Sequence, residues 1–492
     1  MSFLREACGV VGAAHPEHDV VEQLWRGLLA VQHRGQEGNG IFTLDRGKFH
    51  HAKYLGLVGD LSKYGSLKGS RGIGHVRYTT TGSSPLESNL GMSESQASES
   101  FVQPFFVSYP KSGLALCHNG NLVNYVGLRH DFLSEGRSLV SDCDAEIILN
   151  QLARELASTK DLERSVANTM SSLEGAYSVV AVTGENELIA FRDPCGFRPL
   201  CYGRRSGFEV FSSESVALDA VGVDLVGDVK PGEMIVVDRD CHISRKVIKR
   251  DCRVAHCMFE YVYFSRPDSV IEGKGVYQTR IRLGQNLAKT YKADADVVVP
   301  VPDTARPAAE GIARSTGIEI AEGLIKNRYV GRTFIMPGQG RREDSVVLKL
   351  NPVKSILKDK RVILVDDSIV RGTTSRKIVD LVRIGGAARV ELWITCPPII
   401  SPCFYGIDIS THEELIAAAK SVSDIERTLG VDKLCYQTRK GLVDAIGFDE
   451  DSLCMACLTG TYPTSAAQQI ADEMKGKLGK GKGRYWEREL ER

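Results

Sequence analysis

The segment VILVDDSIVRGTTS (362–375) ends an apolar, β-branched run on two adjacent carboxylates, Asp366 and Asp367, and then sets Gly372 among hydroxyls. A strand that enters a glycine turn and then a helix aims successive backbone N–H groups into one concavity, which favours a phosphate. Ser368, Arg371, Gly372, Thr373 and Thr374 line that expected turn, and the Asp pair suits ribose hydroxyls or a hydrated Mg2+. The G-x-x-x-x-G-K spacing of a Walker loop is absent from this turn. A second reactive group, Cys8, stands in LREACGVVGAAHPE. A thiol nucleophile needs a base and an oxyanion site. His33 and His75 lie in motif-like stretches, yet nothing in the sequence pairs either with Cys8. Removal of Met1–Ala7 would give Cys8 its own α-amine, and small Ala7 suits such a cut. That amine titrates at about 7.7–8.0 and can take the thiol proton through a water. HNGNL (118–122) offers the Asn119 side chain and the Gly120 N–H as oxyanion donors, expected on a turn. Arg77 in GHVRYTTTG suits an α-carboxylate, and Asp144 in SDCDAEI an α-ammonium. A third set begins with Cys454 and Cys457 of LCMACL, which make half a metal site. From spacing alone Cys252, Cys257, Cys396, Cys403 and Cys435 compete to complete it, and iron–sulfur and zinc are both open.

Positioning these groups takes more than one domain. A chain of 492 residues implies roughly two to four. Residues 8–240 are short β-rich runs broken by glycines, with helical stretches at 19–32 and 143–158, which predicts a layered α+β unit. From about 275 strands and helices alternate. ADVVVPVPD (294–303), RVILVDD (361–367) and RVELWIT are strands; TARPAAEGIARSTG is a helix ending at Gly317. TTSRKIVDLVRIGGA is a second helix that sets Ile378, Leu381, Val382 and Ile384 on one face before Gly385. Such alternation predicts an α/β domain with a parallel sheet. The basic stretch 326–351 has no clean period and reads as a functional loop. Lys+Arg and Asp+Glu are each 62, so the net charge is zero, which opposes a nucleic-acid or anionic-membrane surface as the main partner. No apolar run nears the roughly 18 residues that span a bilayer. Arg5 and Glu6 interrupt any signal-peptide core, so a cytoplasmic location is expected. Disulfides are rare there, so the cysteines outside Cys8 and a metal set read as packing.

The Asp-Asp–turn–Gly-Thr-Thr sequence resembles the phosphoribosyl-pyrophosphate (PRPP) motif of type I phosphoribosyltransferases. The resemblance implies 5′-phosphate binding by Ser368–Thr374, ribose contact by Asp366 and Asp367, and Mg2+ at these two and Thr304 of PVPDTA. It makes 326–351 a flap whose Lys326, Arg332 and Lys349 neutralise a leaving pyrophosphate. In order, CGVVG, QHRGQE, GHVRYTTTG, HNGNL and SDCDAE resemble the N-terminal-nucleophile glutamine amidotransferase family. That implies a four-layer αββα domain which hydrolyses glutamine to glutamate and ammonia. Cys8 would be nucleophile and base, Asn119 and Gly120 the oxyanion hole, and Arg77, Thr80 and Asp144 the glutamine contacts. Gly38 and Asn39 stand where members mostly have small apolar residues.

This domain order is similar to the glutamine PRPP amidotransferase family, which makes 5-phosphoribosylamine in the first committed step of de novo purine synthesis. FEYVYFSRPDS (259–269) and KNRYVGRTFIMPGQ (326–339) carry the likeness furthest, and Val347 and Leu348 depart from it. The iron–sulfur subfamily resemblance selects Cys257 and Cys403 to join Cys454 and Cys457 on a structural [4Fe–4S] cluster. It also implies glutamine and PRPP as substrates, a homotetramer, and feedback by purine nucleotides. The expected organisation is a propeptide (1–7), a glutaminase domain (8–240), a phosphoribosyltransferase domain (258–445) and a cluster-binding segment with tail (446–492). A PRPP-binding regulator without catalysis and a glutaminase joined to another synthase are the competing readings. The complete glutaminase set opposes the first and VDDSIVRGTT the second.

Overall fold

The computed structural model describes residues 8–78, 101–109, 112–327, 350–409 and 411–476. Period-two alternation in the first strand decides the layering of the N-terminal domain. Gly9–Ala14 is buried along its whole length. Val10, with Phe42 and Ile73 of its own sheet, faces Ala115, Val180 and Leu188 of a second sheet, whereas Val11 faces Leu24 and Leu28 of the Val21–Ala30 helix. Both faces of the strand are therefore apolar, as its sequence requires.

That strand is central in an antiparallel sheet of seven, between Phe208–Ser212 and Arg71–Arg77. The second sheet has six antiparallel strands, with Ser112–Leu122 beside Gly175–Thr183. Its outer face packs on the helices Asp144–Thr159 and Leu162–Ser172 through Ile148, Leu152 and Val166. The order of layers is helix, sheet, sheet, helix. The strand Ile243–Val247 pairs with Glu233–Val237, so this sheet runs past residue 240.

The C-terminal domain has a four-stranded parallel sheet in the order Val297–Pro300, Arg361–Asp366, Arg389–Ile394, Lys433–Tyr436. One face packs on Leu287, Ala308 and Ile312, the other on Ile378, Val379 and Val382. The Thr373–Ile384 helix buries Val379 rather than Ile384, which is 68% exposed. At about 100° per residue Ile384 lies some 200° beyond Val382 and faces away from the sheet.

One core cluster crosses the junction. Phe197 stacks on Tyr405, and Leu453, Cys454, Cys457, Ala467 and Ile470 join the same cluster as Val123 and Ala176 of the first domain. Two cysteines expected to be packing residues, Cys195 and Cys252, instead form a disulfide. Ala255 N donates to Cys195 O and Cys257 N to Phe197 O, a short extended pairing that brings the two sulfurs together.

Candidate active sites

Cys8 lies at the edge of the Gly9–Ala14 strand, 6% exposed. Its Sγ accepts from Tyr78 N at 3.4 Å and faces Tyr78 O at 3.3 Å. Burial pushes the thiol up to about 11, so it is protonated at neutral pH and needs a base. Among the described residues no imidazole bonds this sulfur. His33 is held by Glu214 at 2.7 Å, and burial keeps the His75 ring well below its ordinary value, hence neutral. Arg77, which ends the Arg71–Arg77 strand, and Asp144 both act electrostatically on the Cys8 thiol, the first lowering and the second raising its pKa.

Asn119 and Gly120 lie inside the Ser112–Leu122 strand, not on a turn as expected. A glycine at φ +149° lets the strand pass there: a Cβ would sit 2.0 Å from Ala176 O on the neighbouring strand. Asn119 is fully buried and both of its amide atoms lack a partner among the described residues. A buried amide left unpaired costs free energy, so this one is poised for a ligand. Asp144 opens the Asp144–Thr159 helix, accepts from Leu122 N at 3.0 Å and lies 3.3 Å from His118 Nε2. Burial opposes its charge, but His118 and the Leu122 and Ala145 amides more than offset that, holding the carboxyl below its usual range. Asp144 thus links the strand that carries Asn119 and Gly120, through Leu122 N, to the Cys8 thiol; half-buried Arg77 acts on the same thiol, and Thr80 and Met1–Ala7 lie outside the described residues.

At the second site Asp366 ends its strand and Asp367 follows it. Val301 N donates to Val365 O, Thr395 N to Asp366 O and Cys396 N to Asp367 O, which gathers three strand ends around the carboxylates. Desolvation pushes Asp367 up to about 6 against the Ser368 hydroxyl and the Arg280 charge, and desolvation with Asp367 raises Asp366 well above its ordinary value. Such a pair suits cations. Gly372, at φ +78°, caps the Thr373–Ile384 helix without any side-chain cap bond. The hydroxyls therefore do not serve as helix caps, and buried Thr374 Oγ1 has no partner among the described residues. Ser368 Oγ donates to Asp367 at 2.6 Å, and Arg371 is paired with Glu414. Thr304 sits between the first strand and the Arg306–Thr316 helix, and Lys326 holds Asp303 at 2.7 Å. Arg332, Lys349, Val347 and Leu348 lie outside the described residues.

The third group is at the junction. His256–Cys257 pairs in parallel with Leu453–Cys454, which sets Cys257 beside Cys454. Ile400 N and Ser401 N donate to Cys457 O, tying the Cys403 segment to the C-x-x-C turn. Cys257, Cys403, Cys454 and Cys457 are 7–9% exposed and lie in one cluster. Burial pushes Cys257 up to about 12 and raises the other three. Amides oppose it: Phe259 at Cys257, Ala456 at Cys454, and Tyr405 and Ile407 at Cys403. The four thiols share one buried cluster and three of them face N–H donors, a donor set that fits a group bound by thiolates, with no three of the sulfurs within 4.8 Å of one another. A tighter set, Asp238, Asp240 and His242, lies on a turn and is accounted for by Asp238 accepting from His242 and Asp240 amides.

Comparisons with known proteins cover both domains. Residues 92–220 match the glutamine amidotransferase domain family, and residues 268–401 the phosphoribosyl transferase domain family. The amidophosphoribosyltransferase of Methanocaldococcus jannaschii is 47% identical over 93% of this chain and 98% of its own. That of Methanothermobacter thermautotrophicus is 44% identical over 96% and 97%. The chain belongs to the amidophosphoribosyltransferase family. A solved family member, the Bacillus subtilis glutamine PRPP amidotransferase complexed with ADP and GMP, superposes with a TM-score of 0.84 at 41% identity, covering 93% of this chain and 98% of that one. The family reaction, glutamine-dependent amination of PRPP in purine biosynthesis, is accordingly the reaction of this chain.

Sequence reasoning missed the ionic chain that joins the sites. Arg34 Nε donates to Cys8 O at 3.2 Å, and its other nitrogens bind Glu214 at 2.6 Å and Glu260 at 2.8 Å. Glu260 also accepts from Arg198 at 3.0 Å and from Ser265 at 2.7 Å. Arg280 then holds the Tyr261, Tyr263 and Ser265 carbonyls. Arg34 lies in QHRGQE and Glu260 in FEYVYF, but a separation of 226 positions carries no pairing signal.

Proposed function

We propose that the two sites work in sequence on one chain, with the ammonia made at Cys8 consumed at the Asp366–Thr374 turn. The buried, unpartnered Asn119 amide carries this reading, because it lies on the strand that Asp144 links to the Cys8 thiol and a tetrahedral oxyanion needs such a donor. After loss of Met1–Ala7 the Cys8 α-amine takes the thiol proton through a water, and the thiolate attacks the glutamine amide carbon. Asn119 Nδ2 and Gly120 N–H stabilise the oxyanion; Arg77 holds the α-carboxylate, Asp144 the α-ammonium, and Thr80 completes the site. Ammonia leaves, and water releases glutamate from the thioester. At the second site Ser368–Thr374 hold the 5′-phosphate and Asp366 and Asp367 the ribose. Ammonia attacks C1 as the C1–O bond to pyrophosphate breaks and then gives up a proton, and Lys326, Arg332 and Lys349 neutralise the departing oxygens. Thr304, Asp366 and Asp367 would hold Mg2+, which supplies further charge neutralisation there.

Cys257, Cys403, Cys454 and Cys457 would hold a [4Fe–4S] cluster whose part is structural, tying the C-terminal segment to the junction. Iron and acid-labile sulfide per chain distinguish it from zinc on the same ligands. A homotetramer inhibited by purine nucleotides and a cytoplasmic location complete the reading. In support, the B. subtilis relative is described with ADP and GMP. Among the described residues no helix is long and apolar enough to cross a membrane.

The deciding test is Cys8→Ala. Pyrophosphate release from PRPP should be lost with glutamine and kept with ammonia; loss of both refutes the division of labour. Intact mass of active protein should begin at Cys8, and full activity with Met1–Ala7 attached overturns the amine-base mechanism.

A further inference from the structure

Arg198 is fully buried at the domain junction. Its Nη1 donates to Glu260 at 3.0 Å and its Nε to Tyr405 O at 3.0 Å, while Nη2 has no acceptor among the described residues. A guanidinium N–H buried without an acceptor is costly, so its persistence calls for a ligand. The surroundings say which. Tyr405 is two residues from Cys403, and its own N–H donates to Cys403 Sγ at 3.4 Å. A Cβ on Gly406 would lie 3.3 Å from Nη2, so this nitrogen closely approaches the 403–406 segment. On its other side Cys257 N donates to Phe197 O at 3.1 Å, so Arg198 follows directly on the residue tied to Cys257.

We propose that Arg198 is a positioning residue for the group held by Cys257, Cys403, Cys454 and Cys457: Nη2 donates to a sulfur of that group and the guanidinium offsets its negative charge. Nη1 and Nε meanwhile stay on Glu260 and Tyr405 O, which joins the centre to Arg34 and through it to the Cys8 carbonyl. The same segment touches the oxyanion strand, since Asn121 Nδ2 donates to Phe404 O at 3.0 Å. Arginine suits this post because its planar fork serves three acceptors at once, which an ammonium on a flexible stem does not. The inference rests on the reading that these four cysteines bind a metal group.

The test uses the full chain purified without oxygen as wild type, Arg198→Lys and Arg198→Gln. Iron, acid-labile sulfide and zinc per chain are measured, followed by the rate of metal loss to a chelator. The wild type should carry metal, and Arg198→Gln should release it about 10- to 100-fold faster. Arg198→Lys, which keeps the charge and the Glu260 ion pair, should fall between them. Folded variants that release metal at the wild-type rate overturn the proposal alone. A wild-type chain with neither iron nor zinc overturns the cofactor reading and the proposal with it. Should Arg198→Gln fail to fold, Arg198→Lys decides: release at the wild-type rate overturns the role of Nη2, and faster release supports it.

Discussion

Glu260→Gln removes one charge from a buried ionic chain while conserving its shape. Side-chain exposure along that chain is 1% for Arg34, 0% for Glu214, 2% for Glu260 and 0% for Arg198. Water therefore cannot replace what Glu260 supplies. The glutamine would leave Arg34 with Glu214 alone and Arg198 without a carboxylate, and the amide end would set donors against donors. Removing one partner of a buried pair costs about 3–5 kcal/mol. At about 2–4 °C per kcal/mol for domains of this size, the first thermal transition should fall by about 6–20 °C. The pH dependence gives a second handle. Burial opposes the Glu260 charge, but Arg34 and Arg198 outweigh it and hold the carboxyl below its ordinary value. A depressed carboxylate stabilises fully above the unfolded-state pKa of about 4.3, and that contribution fades as pH falls through the folded-state value. The gap between wild type and variant should hold from pH 6 to 8 and narrow below about pH 4. Calorimetry across this range, with glutamine- and ammonia-dependent turnover on the same samples, checks both. Because Arg34 also holds the Cys8 carbonyl, the glutamine-dependent rate should suffer more. A fall of under about 3 °C at neutral pH, or a gap that persists undiminished at pH 3.5, would show that the pairs are not what couples these residues.

Further outcomes follow from single sites. Gly120→Ala drives a Cβ to 2.0 Å from Ala176 O, so glutamine-dependent kcat should fall about 10²- to 10³-fold, the loss of one oxyanion donor, with ammonia-dependent turnover reduced far less. Thr374→Val removes a buried hydroxyl that has no partner among the described residues, so thermal stability should be unchanged or higher, while the KM for PRPP rises about 10-fold or more. Asp367 is pushed up to about 6, so its ionised form is disfavoured on folding, and stability is lost as pH rises from the unfolded value through 6. Asp367→Asn should therefore be more stable than wild type at pH 7.5, with the difference vanishing below about pH 4. It should bind PRPP with Mg2+ more weakly, as titration with the substrate would show.

Local rules made much of this legible. The run RVILVDD had to be a buried strand, because β-branched residues without alternation need cover on both faces, and the Asp pair at its end marked the ligand side. The Thr373–Ile384 helix was readable as an element, but its face was not, since Ile384 needs an angle rather than an apolar label. HNGNL was visible as chemistry and misplaced as structure. Its glycine and asparagines suggest a turn, and only the carbonyl of Ala176 shows that Gly120 is there to let two strands close.

By itself the sequence determined the two reactive centres, the two kinds of sheet and the Cys454–Cys457 pair, because each depends on spacing within a dozen residues or on a motif; from spacing it left five cysteines competing to join that pair. Tertiary structure alone decided how they are joined. Arg34 meets Glu260, Glu260 meets Arg198, and Cys195 meets Cys252 across separations at which periodicity carries no information. Charges so deeply buried persist only where the fold supplies a partner for each, and the fold alone fixes which partner that is.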